Sequence, residues 1–141
     1  MTTPALPPRM ENDLPPVALI LKEPHLSRIL DGSKVWEIRS SHTHRRGRIA
    51  LARSGSGLLF GTVSITGSLG PLSFDELLDA DGLPVEQRMD IRRSGCLPYQ
   101  RKDGGSRTYA WVLSDPVLFE TPRPYHHPQG AVIFVNLDTS S

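Results

Sequence analysis

Hydrophobic positions in this chain fall in short runs whose period changes several times along the sequence. Val17-Ala18-Leu19-Ile20-Leu21 is continuously apolar, the pattern of a strand buried on both faces. Pro24 then opens a short helical pattern with Leu26, Ile29 and Leu30 on one side and Gly32 as a stop. From Val35 to Ser40 the pattern alternates. Trp36 and Ile38 point one way, into a core, while Val35, Glu37 and Arg39 point the other. Arg48–Arg53 and Leu58–Thr66 are predicted strands, with Ser54-Gly55-Ser56-Gly57 between them as a hairpin turn.

Ser73 and Glu76 have capping-box spacing, which predicts a helix over Phe74–Ala80, and a weaker helical stretch follows over Pro84–Arg93. Tyr109–Leu113 reads as a strand on its aromatic and β-branched content. The proline-rich stretch Thr121–Gly130 is expected to be a surface loop, followed by a last strand over Ala131–Leu137. Several short strands, two or three short helices and no regular strand–helix alternation predict an α+β, β-rich domain, closer to a barrel than to a doubly wound sheet. The 12 Gly and 13 Pro among 141 residues point the same way, since they favour turns over long helices. The proline-dotted residues 1–16 are expected to be a disordered lead-in, 17–138 the domain, and 139–141 a tail.

Charge changes the picture through its distribution. The formal net charge is only +1. Yet Arg39, Arg45, Arg46, Arg48 and Arg53 follow one another with His42 and His44 and no carboxylate among them, and a second basic stretch runs from Arg88 to Arg107. Acids gather at Asp75, Glu76, Asp79 and Asp81. Arginine dominates the cations, and its planar fork suits bidentate phosphate contacts and base stacking. Cys96 is the sole cysteine, so no internal disulfide forms, and a reducing, cytoplasmic setting is expected. No apolar run is long enough for a membrane span, and no signal-peptide pattern opens the chain.

Gly32-Ser33-Lys34-Val35-Trp36-Glu37-Ile38-Arg39 matches the G-x-K-x-x-E-x-R signature of the ASCH family. Gly47–Ser54, Gly61-Thr62-Val63, Tyr109–Leu113 and Gln129–Val132 follow in the family's order, so the resemblance covers Val17 to Leu137. ASCH domains resemble PUA domains, which are RNA-binding pseudobarrels. The resemblance therefore implies a PUA-like pseudobarrel with a cleft beside Lys34–Arg39, and RNA or a modified nucleobase, nucleoside or nucleotide as its occupant.

Glu37 and Arg39 leave the same strand face and are expected to line that cleft, against the alternative of an ordinary surface ion pair. Lys34, at the strand entry, is a candidate phosphate ligand. Arg45, Arg46 and Arg48 are expected to rim the cleft and follow a nucleic-acid backbone. Ser54 matches a serine that the family carries at its strand end and is a candidate ligand contact. Tyr109 and Trp111 share a face and suit either base stacking or the core. His126 and His127 point opposite ways in extended chain, with no third ligand placed by spacing, so no metal is expected, and no cofactor motif is present.

The expected function is a binding module for RNA or a nucleobase. A small hydrolase in the same cleft is the alternative, either a ribonuclease or a nucleoside amidohydrolase, with Lys34 and Glu37 as candidate catalytic residues. The amidohydrolase-like ASCH proteins place a Thr in the slot that Glu37 fills, and no hydroxyl in this segment replaces it. A second alternative is a protein-interaction domain in transcription-related regulation, since ASCH domains also resemble a part of transcriptional coactivators.

Overall fold

The computed structural model describes residues 14–131 and 133–137. The expected tail and most of the expected lead-in lie outside the described residues. The last three residues of that lead-in join the fold, with Leu14 against the core and the Pro16 carbonyl accepting from the Leu137 N–H at 2.7 Å.

Six strands and three short helices follow in the order β1 (Val17–Leu21), α1 (His25–Leu30), β2 (Trp36–Arg39), β3 (Gly47–Arg53), β4 (Leu58–Leu69), α2 (Phe74–Asp79), α3 (Val85–Ser94), β5 (Tyr109–Pro124) and β6 (Phe134–Asn136). They form one curled sheet ordered β2-β5-β4-β3-β1-β6, the β-rich α+β half-barrel that the patterning predicts. β1 and β3 run parallel, with Ala18 opposite Ala50 and Leu21 opposite Arg53; the other pairs are antiparallel. The parallel pair needs a crossover, and α1 and β2 lie within it.

The burial of β1 on both faces is explained by two clusters. Leu19 and Leu21 pack inside the curl with Ile49, Leu51, Val63, Ile65, Trp111 and Leu113, closed by Leu26 and Ile29 of α1. Ala18 and Ile20 face the other way, with Ala50, Ala52, Leu59, Phe119 and Val135. A third cluster joins Trp36, Ala110, Leu77 and Leu83, and Ile38 packs at its margin. Trp36 and Ile38 therefore face a core as the alternation requires, but it is the core under α2 and α3. Gly61 on β4 sits at a close approach, since a Cβ there would collide with the Val117 carbonyl and the Leu30 side chain.

Local signals hold where chemistry is local. Ser73 Oγ accepts from the Glu76 N–H at 3.1 Å and Glu76 Oε1 accepts from the Ser73 N–H at 2.9 Å, completing the capping box. Gly55 and Gly57 take positive φ in the β3–β4 turn. The main difference lies in β5, which continues through Pro116, Pro122 and Pro124 where a loop is expected from Thr121. Pairing with β2 ends at Val112, so the later part of β5 has β4 alone as its neighbour. A proline on that open side deletes no ladder bond. β4 likewise runs three residues past Thr66, to Leu69, through register shifts that absorb its extra length.

β2 is the edge strand of the sheet, and Gln87 of α3 closes its open side. The buried Gln87 Oε1 accepts from the N–H groups of Val35 (2.9 Å) and Trp36 (3.3 Å), while Nε2 donates to the Trp36 carbonyl at 2.8 Å. A side-chain amide thus completes the ladder as a neighbouring strand would. Gln87→Leu keeps the volume and strands these groups, so it should lower stability by about 1 to 3 kcal/mol. An unchanged urea midpoint at unchanged m-value would refute that role.

Candidate ligand-binding cleft

The parallel pairing of β1 and β3 brings their C-terminal ends together, and a cleft of about 640 Å³ opens there. β1 contributes Ile20 and Leu21, followed by Lys22; α1 contributes His25 and Arg28; Ser54 comes from the end of β3. Lys34, Glu37, Ile38 and Arg39 form the β2 side. Residues 87, 90, 91 and 94, one face of α3, form the opposite wall with Pro98 and Tyr99.

Glu37 lies at the centre of the polar wall and is 6 % exposed. Its Oε1 accepts from Lys34 Nζ at 3.1 Å and its Oε2 from Arg39 Nε at 2.6 Å. Lys34 Nζ also lies 3.0 Å from His25 Nδ1. An ammonium only donates, so Nδ1 is the acceptor and the imidazole is neutral with its proton on Nε2. Desolvation, with the Lys34 charge as a second cause, holds the His25 imidazole below the usual histidine range. Arg39 also lies over the Trp111 ring at 5.5 Å. Each cation is therefore held on more than one side.

This arrangement leaves defined donors facing the cleft. Lys34 uses two of its three N–H bonds, and Arg39 uses Nε while both terminal nitrogens stay without a partner among the described residues. Glu37 differs from the sequence expectation in one respect: both its oxygens are engaged within the chain, so it orients the two cations. The other carboxylate of the wall, Asp90, is paired with Arg28 and, at 3.2 Å, with Arg93.

Lys34, Glu37, Arg39 and Ser54 are thus brought together as the sequence implies. Arg45, Arg46 and Arg48 are not. They lie where the chain enters β3, and the seven residues of that strand, Gly47–Arg53, precede Ser54, a span of roughly 20 Å at about 3.3 Å per residue. The expected position at the cleft rim is therefore corrected: none of the three lines the cleft, and they lie at the entry of β3, away from Ser54 at its exit. Arg48 is tied down there by bonds to Ser64 Oγ, Thr62 Oγ1 and the Asp115 carbonyl. Arg45 lies over Phe134 at 4.7 Å. Of the two candidate stacking residues, Trp111 is core and donates through Nε1 to the Ser41 carbonyl at 2.8 Å, and Tyr109 meets His42 at 4.5 Å between ring centroids.

Sequence reasoning missed Lys22, His25, Arg28, Asp90 and Tyr99. His25 and Arg28, three apart at the helix start, are the readable signal, because that spacing puts them on one face. Tyr99 has none, as it sits in a loop held by Thr108 Oγ1, which donates to the Tyr99 carbonyl at 2.8 Å.

Residues 19–123 match the family model for the ASCH domain. The chain belongs to the ASCH family. Among solved structures it is similar to an ASCH protein from Zymomonas mobilis, at 17 % identity and a TM-score of 0.55, with 87 % of each chain covered. A single-residue variant of that protein matches at 17 % identity and TM-score 0.54 over 87 % of this chain and 90 % of that one. This likeness establishes the ASCH fold, a PUA-like curled sheet. No curated protein matches the chain.

Two outcomes are expected at this ASCH cleft. Glu37→Gln removes the charge between two largely buried cations and should cost on the order of 3 kcal/mol, read by chemical denaturation; wild-type stability would place the triad among surface pairs. The lowered His25 value means that the unfolded chain binds a proton before the folded one does. Stability should therefore fall as pH drops below 6.5 toward the folded value, and His25→Gln should flatten that part of the profile. An identical slope in the variant would exclude His25 as its source.

Proposed function

We propose that this ASCH domain binds RNA or a nucleotide in the cleft. The observation that carries the reading is that the cleft combines two kinds of lining, the polar side chains of Lys22, Lys34, Arg39 and Ser54 and the apolar and aromatic surface of Ile38, Leu77, Ile91, Pro98 and Tyr99. A nucleotide has the same division, with an anionic phosphate and a flat base that stacks on aromatic and apolar surface. The volume of about 640 Å³ suits a ligand of that size. Lys34, Arg39 and Ser54 are the polar contacts, Tyr99 is the stacking residue, and Glu37 positions the two cations. A cytoplasmic RNA partner is part of this reading, in line with the single cysteine.

The hydrolytic alternative has less support. The His25 Nδ1 lone pair is turned to Lys34, and each Glu37 oxygen already accepts from a cation of the chain, so both are engaged in holding Lys34 and Arg39. Ser54 and Tyr99, which carry hydroxyls, line the cleft from outside the signature segment.

Fluorescence anisotropy with a short single-stranded RNA tests the reading. Tyr99→Ala should weaken binding by about 1 to 3 kcal/mol, the range for loss of one stacked base. Equal affinity of wild type and Tyr99→Ala, together with equal affinity of Arg39→Gln, would remove the cleft as the RNA site. For RNA long enough to reach the entry of β3, Arg45 and Arg46 are proposed as added phosphate contacts, with Arg48 beside them. Replacing Arg45 and Arg46 with Ala should reduce the salt slope by up to about 1.4, roughly 0.7 per contact, and leave the short RNA unaffected. A slope unchanged on long RNA would assign these arginines to the solvated surface.

A further inference from the structure

The charges of the cleft specify more than a nucleic acid. Lys22, Arg28, Lys34 and Arg39 face Glu37 and Asp90 across the lining, with His25 neutral, so two positive charges remain uncompensated. Both carboxylates are already engaged, Glu37 by Lys34 and Arg39, Asp90 by Arg28 and Arg93. The surplus belongs to Lys22, Lys34 and Arg39, which line the cleft together with Ser54. Among the described residues the Lys22 ammonium, the terminal nitrogens of Arg39 and the Ser54 hydroxyl have no partner, and Lys34 has one N–H in reserve.

Depth adds a second constraint. The Lys34 side chain is only 10 % exposed, against 21 % for Arg39, so these donors lie on the floor of the cleft. An internal phosphodiester carries one charge and continues as chain on both sides, and bringing it to that floor would draw two flanking nucleotides in with it. A terminal phosphate has chain on one side only and carries close to two charges above its second pKa of about 6.

We propose that the cationic lining of the cleft is a subsite for a phosphomonoester dianion, the terminal phosphate of a free nucleotide or of an RNA end. This deepens the nucleotide reading and rests on it for the base, while the phosphate subsite stands on its own donors. Lys22 acts as the outer contact, Arg39 and Lys34 as the inner ones, and Ser54 donates from the strand end. Glu37 keeps the inner pair in place without competing for the phosphate, since its own charge is already met by them.

Calorimetry at pH 8 on the full chain tests the subsite with adenosine, adenosine 5′-monophosphate, ribose 5-phosphate, and a dinucleotide with and without a 5′-phosphate. The monophosphate should bind on the order of 30-fold more tightly than the nucleoside, through charge-assisted bonds that the nucleoside lacks. The dinucleotide should gain comparably from its 5′-phosphate if RNA ends enter, and a gain confined to the mononucleotide would assign the subsite to free nucleotides. Lys22 is exposed, so Lys22→Gln leaves the fold intact; it should shrink the phosphate gain by roughly fivefold with adenosine affinity unchanged. Adenosine binding as tightly as adenosine 5′-monophosphate would overturn the subsite. Ribose 5-phosphate binding through Lys22 without any gain from a base would instead overturn the nucleobase reading and leave the subsite standing.

Discussion

A carboxylate taken out of water must have its charge met, and in this protein that requirement organises one whole side of the barrel. Glu37 is fixed on β2 by the alternation that also buries Trp36 and Ile38, so its side chain cannot turn to solvent without moving the strand. Lys34 answers from the turn before the strand and Arg39 from two residues further along the same face. His25 Nδ1 then accepts from a second N–H of Lys34, which ties α1 to the turn before β2. Trp111, opposite Glu37 on β5, supplies the ring over which Arg39 lies. Three elements, α1, β2 and β5, and the turn before β2 meet around one buried charge.

The price of building a site on an edge strand is an open row of backbone groups, and Gln87 meets it. A strand there would have filled the space that the cleft occupies. A helix presenting one amide satisfies the Trp36 backbone while leaving Asp90, Ile91 and Ser94 to form the far wall. The same helix therefore protects the edge and shapes the cavity, and Arg28 joins it to α1 through Asp90. Rigid support of this kind is what allows polar groups to be held for a ligand with few conformational losses on binding.

Binding and structure divide the arginines between them. Arg39 is both, since Nε completes the Glu37 pair and its terminal nitrogens remain for a ligand. Arg48 and Arg88 serve backbone carbonyls, Arg48 at the β5 turn near Asp115 and Arg88 at the end of α2. A cation committed in this way contributes to the field around the molecule more than to any single contact. Counting basic residues along the chain overstates how many are free to hold phosphate.

Much of the architecture was legible from local pattern because its causes are local. The doubly buried β1, the Ser73–Glu76 capping box, the Gly55–Gly57 turn and the alternation that sets Glu37 and Arg39 on one face all rest on neighbours within a few residues. The family signature added the cleft beside Lys34 and the serine at the end of β3. Tertiary structure decided the rest. The proline-containing half of β5 is a strand because only one of its sides needs donors, which depends on where β2 ends. Lys22, Lys34 and Ser54 came to line one cleft only when β1 and β3 paired in parallel. That same pairing left Arg45, Arg46 and Arg48 at the entry of β3, outside the cleft lining, although Arg48 is closer in sequence to Lys34 than Ser54 is. Strand direction sets distance in a sheet, and no run of residues read singly contains the direction of its partner.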